Sequence, residues 1–171
     1  VKRFSSQFTS EKRSKNLIDF NDMEQYALRI LTREEEGVLV PSEVAEVYQQ
    51  KFAEIMIDEY QDSNYVQEAI MKSVSGISKG NYNIFMVGDV KQSIYQFRLA
   101  DPGIFLKKYF DYCQASEAET GQGRKIMLNA NFRSGGEVVD AVNRVFSDCM
   151  SPAVGGLVYG EDEMLREGIP H

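Results

Sequence analysis

The sequence predicts an α/β fold in which parallel strands are flanked by helices. Two short apolar runs, Ile55-Met56-Ile57 and Asn83-Ile84-Phe85-Met86-Val87, each stop abruptly at polar residues, Asp58-Glu59 and Gly88-Asp89. Runs of that length and texture read as strands buried on both faces. Between them Val66, Ala69, Ile70 and Val74 recur at helical spacing and stop at Gly76. Strand, helix, strand is the βαβ unit of a parallel sheet, and such sheets gather ligands beyond the carboxyl ends of their strands. The chain has 171 residues, 43% hydrophobic and 26% charged. That composition excludes a disordered or collagenous chain and gives enough length for one globular core.

The remaining elements follow in order. Phe20, Met23, Ala27, Ile30 and Leu31 share a helical face after Asp19, an N-cap residue, so 20–32 is expected to be an amphipathic helix that Glu34 to Gly37 bring to an end. After Pro41, Ser42 caps a second helix whose Val44, Val47, Tyr48 and Phe52 lie on one side. Pro102-Gly103 open a helix running to about residue 112, and residues 114–123 form a polar loop. Residues 125–128 read as a third strand. Ser134 and Glu137 stand at capping-box spacing ahead of Val138, Val142, Val145 and Cys149. The last twenty residues, rich in Gly and Pro, read as mostly irregular.

Nineteen Lys and Arg against twenty-six Asp and Glu give a net charge of −7. The chain as a whole therefore lacks the basic field of a nucleic-acid coat or an anionic-membrane binder, and any nucleic-acid contact has to be local. Residues 1–16 hold five basic residues and one acid, while residues 17–62 hold twelve acids and three bases. The basic start reads either as a solvated tail or as the stub of a DNA-facing segment. Cys113 and Cys149 show no metal-ligand spacing and fall on apolar helical patterns, which points to buried free thiols and a reducing cytoplasm. No run approaches the length of a membrane span.

Three constellations carry chemistry. Ile55-Met56-Ile57-Asp58-Glu59-Tyr60-Gln61-Asp62 delivers adjacent carboxylates from an apolar strand into a turn. Mg²⁺ bound to nucleotide phosphates would offset their repulsion, one acid taking the metal and its neighbour orienting the attacking water. The bland alternative is a solvated acidic turn. Phe85 to Arg98 (FMVGDVKQSIYQFR) ends another strand in Gly-Asp and places Gln92 three residues on, an amide able to report a γ-phosphate. Phe97-Arg98 offers a base-stacking plane beside a phosphate-binding cation, or else a buried ring and a surface charge. Leu128 to Ser134 (LNANFRS) sets Arg133 between a strand and a capped helix, where it can meet phosphate and stabilise transition-state charge.

Taken together, DEYQD, VGDVKQSIYQFR and NFRS occur in the order and at the separations of the superfamily 1 DNA helicases of the UvrD/Rep type, which the chain resembles over 17–148. NLIDFNDMEQYALRIL and RLADPGIFLKKY look most like the A subunits of AddAB-type helicase–nucleases, machines that process double-strand DNA breaks. The resemblance implies a partial, truncated RecA-like P-loop NTPase fold. It implies that residues 1–16 close a 1B-like insertion, 17–113 form the latter half of the first motor domain, 114–124 a linker loop, and 125–171 the start of the second motor domain. ATP and Mg²⁺ are the implied cofactors. The implied partners are single- and double-stranded DNA and a second, AddB-like subunit, with no membrane.

The same resemblance implies roles. Asp58 holds Mg²⁺, Glu59 activates the hydrolytic water, and Gln61 and Asp62 couple the site to the motor. Gln92 senses the γ-phosphate; Tyr95, Phe97 and Arg98 link it to single-stranded DNA, with Phe97 where relatives often have Trp. Arg133 acts as an arginine finger and Phe132 stacks on adenine where relatives often have Tyr, which keeps the ring and loses the hydroxyl. No GxxxxGK[ST] phosphate loop exists in 1–171. The chain is therefore expected to be an internal fragment, inactive alone, with the strand at 83–88 left open at its outer edge. Either the strand near 125–129 covers that edge or the chain self-associates. The alternative is a non-hydrolysing ATPase-like module that binds DNA or protein. A DEAD-type RNA helicase would carry Ser-Ala-Thr after its second strand, and Gly88-Asp89 with Gln92 argues against it.

Overall fold

A computed structural model describes residues 2–94 and 99–168. The basic start is a helix, α1 (Lys2–Ser14), rather than a tail. Its Lys12 Nζ reaches Asp19 Oδ2 at 2.9 Å and Asp22 Oδ2 at 2.5 Å, tying α1 to the start of α2 (Phe20–Leu31). Those two carboxylates also cap α2. The Asp22 N–H donates to Asp19 Oδ1 at 2.8 Å and the Asp19 N–H to Asp22 Oδ2 at 3.0 Å, a reciprocal pair that satisfies two orphan donors.

Glu34 to Gly37 do more than end that helix. β1 (Thr32–Glu35) pairs antiparallel with β2 (Val38–Pro41) across the two-residue turn Glu36-Gly37. Both turn residues have positive φ, 51° and 81°, the geometry that matches the twist of a hairpin and that glycine supplies at least cost. Ser42 caps α3 (Glu43–Lys51) as expected, and α4 (Tyr65–Val74) is capped by Asn64 with Gln67 in a second capping box. α2, α3 and α4 pack against one another.

The central unit is β3 (Ile55–Ile57), α4 and β4 (Ile84–Met86), with β3 and β4 parallel and Ile57 opposite Met86. This is the βαβ unit read from the sequence, with one correction. The strands are not buried on both faces: Met56 and Phe85, opposite each other in register, are 72% and 53% exposed. No second layer covers that face among the described residues.

The other strands depart further. The stretch at 125–128 supplies only β6 (Arg124–Lys125), which pairs parallel with β5 (Cys113–Gln114) after α5 (Pro102–Asp111). It does not cover the edge of β4, so that part of the expectation fails; Ile126 and Leu128 instead face solvent. β7 (Ala130–Asn131) pairs with β8 (Arg166–Glu167), a strand within the stretch expected to be irregular. α6 (Gly136–Cys149) lacks the Ser134–Glu137 box, because its N-cap is Gly135. The Gly136 N–H donates instead to Glu167 Oε1 at 3.0 Å, a carboxylate brought to the positive helix end by β8. The cysteines are free, but neither is buried: Cys149 is exposed on the same side of α6 as Val138 and Val145, and Cys113, half-buried, lies in β5 rather than on a helix.

The accessible surface is 12516 Å². A compact chain of this mass would expose about 8,500 Å². One buried cluster lies beneath the strand-end turns, where Tyr60, Val90, Ala100 and Ile104 are buried and Tyr60 meets Phe105 edge-on at 5.7 Å; Val139, Leu157 and Tyr159 are buried further along the chain.

Candidate active site

Beyond β3 the backbone crosses the end of β4. The Val87 N–H donates to the Ile57 carbonyl at 2.8 Å and the Tyr60 N–H to the Val87 carbonyl at 2.9 Å, so the ladder continues into the turn. Glu59 sits at the bend with φ +49°, a left-handed conformation that costs a non-glycine residue on the order of 1 kcal/mol or more. The Asp58 carboxylate accepts from the Glu59 N–H at 2.9 Å and steadies that turn. Both carboxylates are exposed.

Gln61 is 1% exposed and joins the two strand ends. Its Oε1 accepts from the Asp89 N–H at 2.9 Å, and its Nε2 donates to Glu59 Oε2 at 2.7 Å. The backbone N–H can only donate and the carboxylate can only accept, so the amide has one satisfying orientation. Gly88 makes this approach possible: a Cβ there would lie 2.5 Å from Gln61 Oε1 and 3.1 and 3.2 Å from the backbone nitrogens of Tyr60 and Gln61. Gly88→Ala is therefore expected to lose roughly 1–3 kcal/mol of stability, because the neighbours include backbone that cannot step aside. Urea unfolding of the two chains measures it, and equal midpoints would sink the close-approach argument.

On the β4 side, Asp89 Oδ2 accepts from Gln92 Nε2 at 3.0 Å and Oδ1 from the Lys91 N–H at 3.1 Å. Gln92 is exposed, on a short 3₁₀ turn (Val90–Gln92). Asp58, Glu59 and Asp62 line one cleft of about 320 Å³ with Ile57, Ile70 and Met71. Burial, and then the Glu59 charge, push the Asp62 carboxyl above its ordinary value, and its Oδ1 is buried without a hydrogen-bond partner. An acceptor left bare beside two exposed carboxylates fits a hydrated Mg²⁺–nucleotide. Among the described residues no group of three or more His, Cys, Asp or Glu converges as a protein-made metal cage. A cation here would rest on Asp58 together with water and phosphate oxygens, the usual donor set for Mg²⁺.

The structure thus sets Asp58, Glu59 and Asp62 in one cleft and links Glu59 through Gln61 and Asp89 to Gln92. It does not bring Phe132 and Arg133 to them. These two follow β7 in a turn where Asn131 Oδ1 accepts from the Arg133 and Ser134 N–H groups at 2.9 and 2.8 Å. Both are exposed, and among the described residues no hydrogen bond or ion pair joins either side chain to Asp58, Glu59 or Gln92. Tyr95, Phe97 and Arg98 lie outside the described residues.

Two clusters escape a reading of the sequence. Tyr60 donates its hydroxyl to Glu68 on α4, whose Oε1 also meets Lys108 on α5 and Lys72 at 2.9 Å each. Burial, and then that hydrogen bond, raise the Tyr60 phenol far above its ordinary range. Lys91 Nζ lies 2.8 Å from Asp89 Oδ1 and 3.2 Å from Glu163 Oε2. The only sequence signal is position, since Tyr60 and Lys91 sit inside the two constellations; Lys108 and Glu163, which complete the two clusters, come from far along the chain.

Fold and site together define an α/β protein whose carboxylates and amides converge beyond the carboxyl ends of adjacent parallel strands. Residues 1–113 match the family described as the UvrD/REP helicase N-terminal domain, and the chain belongs to that family. It is similar to the A subunit of the ATP-dependent helicase/nuclease of Pelotomaculum thermopropionicum, 49% identical over 168 residues, and to that of Clostridioides difficile, 51% identical over 169 residues. The same-named protein of Bacillus cereus is 48% identical over 169 residues. In each case 98% of this chain is covered and it spans 13% of the relative's length. Among the described residues no helix is long and apolar enough to cross a membrane.

Proposed function

We propose that the chain is part of an ATP-driven DNA helicase motor, of the kind found in the A subunits of helicase/nucleases. In this reading 17–113 belong to a first RecA-like motor domain, 125–171 open a second, 1–16 close a 1B-like insertion and 114–124 link the two domains. The observation that carries it is the Gln61 bridge. One buried amide holds the Glu59 carboxylate and the Asp89 backbone at once, so a change at the hydrolytic site is felt at the turn bearing Gln92. A merely solvated acidic turn has no use for such a bridge.

ATP with Mg²⁺, when bound, supplies the cleavable phosphoanhydride and the neutralising charge. Asp58 would hold the metal. Glu59 would accept the proton of the attacking water, its free oxygen remaining available while the other takes the Gln61 bond. Gln61 fixes the carboxylate, Asp62 offers a further acceptor beside it, and Gln92 would face the terminal phosphate. Arg133 and Phe132, exposed on their own turn, would meet the nucleotide from the second domain, as finger and stacking ring. Tyr95, Phe97 and Arg98 would meet single-stranded DNA, and an AddB-like subunit would complete a machine for double-strand break repair. The exposed Met56–Phe85 face and the open edge of β4 support self-association of the isolated chain.

Without a phosphate loop in 1–171, the isolated chain is expected to release no phosphate from ATP at motor-like rates, with or without single-stranded DNA. Steady-state phosphate release tests this. Turnover at such rates, abolished by Glu59→Gln, would overturn it.

A further inference from the structure

Lys91 and Glu163 form the only ion pair, among the described residues, that joins residues 1–113 to residues 125–168. Their side chains are 13% and 6% exposed, and the second Glu163 oxygen accepts from the Tyr109 hydroxyl. Burial works against the Lys91 charge, but Asp89 and Glu163 outweigh it and hold the ammonium above its ordinary value. Buried ion pairs contribute little net stability and are better suited to fixing geometry.

What this pair joins is specific. On one side Lys91 grips Asp89, whose other oxygen holds Gln92. On the other side Glu163 stands three residues before Arg166, which opens β8. The Arg166 N–H donates to the Asn129 carbonyl at 2.7 Å and the Gly168 N–H to the Asn131 carbonyl at 2.8 Å, and the Asn131 side chain forms the turn that presents Arg133. Asn143 of α6 clamps the same segment through both the N–H and the carbonyl of Leu165 and through the Tyr159 hydroxyl.

We propose that Lys91 and Glu163 are positioning residues, a buried strut that fixes the Gln92 turn relative to the segment presenting Arg133 and so couples the two in ATP hydrolysis. This rests on the helicase reading of Gln92 and Arg133. Neither Lys91 nor Glu163 touches nucleotide in it; they act through Asp89 and through β8.

The test uses the full-length chain from the native gene with its partner subunit, oligo-dT as the DNA probe, and the variants Lys91→Met, Glu163→Gln, their double, Lys91→Arg and, as a control, Glu59→Gln. Lys91→Met and Glu163→Gln are each expected to lower the DNA-stimulated kcat by about tenfold or more, since small misplacements of catalytic groups are costly. KM for ATP should stay within about twofold. The double variant should be no worse than the worse single one, because both break one strut. Lys91→Arg, whose guanidinium can still span both carboxylates, should recover most of the rate. Should Lys91→Met fail to fold, Glu163→Gln, which keeps a side chain able to bond Tyr109, carries the test. Unchanged kcat, additive losses or failure of Lys91→Arg to rescue would overturn the strut. Wild type active and Glu59→Gln dead with all Lys91 variants normal defeats the strut alone; an inactive wild type defeats the helicase reading with it.

Discussion

Glu59→Gln in the full-length chain is expected to lower the kcat of DNA-stimulated ATP hydrolysis by roughly 10²–10⁴-fold, the usual worth of a positioned general base. The geometry makes this a clean substitution. Gln61 Nε2 donates to one Glu59 oxygen, and an amide oxygen at position 59 can still accept that bond, though more weakly than the carboxylate does. The bridge to Asp89 is therefore kept, and what the substitution removes is the carboxylate proposed to accept the proton of water. Phosphate release gives the rate, and thermal unfolding shows the fold unchanged. A variant that turns over at the wild-type rate would remove Glu59 from the role.

The largest effect on stability is expected at Glu68. This carboxylate is 8% exposed and holds the Tyr60 hydroxyl, Lys108 and Lys72. Lys72 is mostly exposed, so its share is small. Lys108 lies over the Tyr60 ring at 5.6 Å and is largely enclosed. Glu68→Gln would leave that ammonium without its countercharge, an imbalance that costs about 3–5 kcal/mol when a buried pair is broken on one side. Urea unfolding of the chain measures it. Adding Lys108→Met to Glu68→Gln should recover part of the loss, and full additivity of the two would show that they do not act as a pair.

The same carboxylate sets a pH dependence. Burial works to raise its pKa, but the bonds from Lys108, Tyr60 and Lys72 prevail and hold it below the ordinary 4.5. The unfolded chain then binds the proton more readily than the folded one. The stability Glu68 contributes is complete above pH 4.5 and drains away as the pH falls through its lower folded value. Urea midpoints measured downward from pH 5 should fall more steeply for wild type than for Glu68→Gln. Parallel curves would contradict the assignment.

Much of this is legible in the sequence, for reasons that are local. Asp19 and Ser42 cap helices through bonds to backbone three residues away, so their effect is written in neighbouring letters. Ile55 to Ile57 and Ile84 to Met86 show as strands because an apolar run of that length bounded by polar groups has few other uses. The carboxylates and Gln92 can be named because they follow those strands directly. The Glu36-Gly37 hairpin is equally local, but an acidic run closed by glycine is also what ends a helix, and the periodicity of α2 hides the hairpin behind that reading.

Where partners lie far apart in the chain, the sequence misleads. It suggests a capping box at Ser134 and Glu137, yet α6 takes its carboxylate from Glu167. It offers 125–128 as a strand for the sheet edge, yet only two residues pair, and with β5. It does not reveal that Gln61 bridges Glu59 to Asp89, nor that the missing side chain of Gly88 leaves room for that bridge. By itself the sequence determined which short segments form the helix caps and the two parallel strands, and so which residues stand at the strand ends, because capping, periodicity and strand termination act within a few residues. Only the tertiary structure decided which of them touch. A hydrogen bond or ion pair across twenty-eight residues, as between Gln61 and Asp89, or seventy-two, as between Lys91 and Glu163, depends on how the strands register and the turns close. No local pattern encodes that.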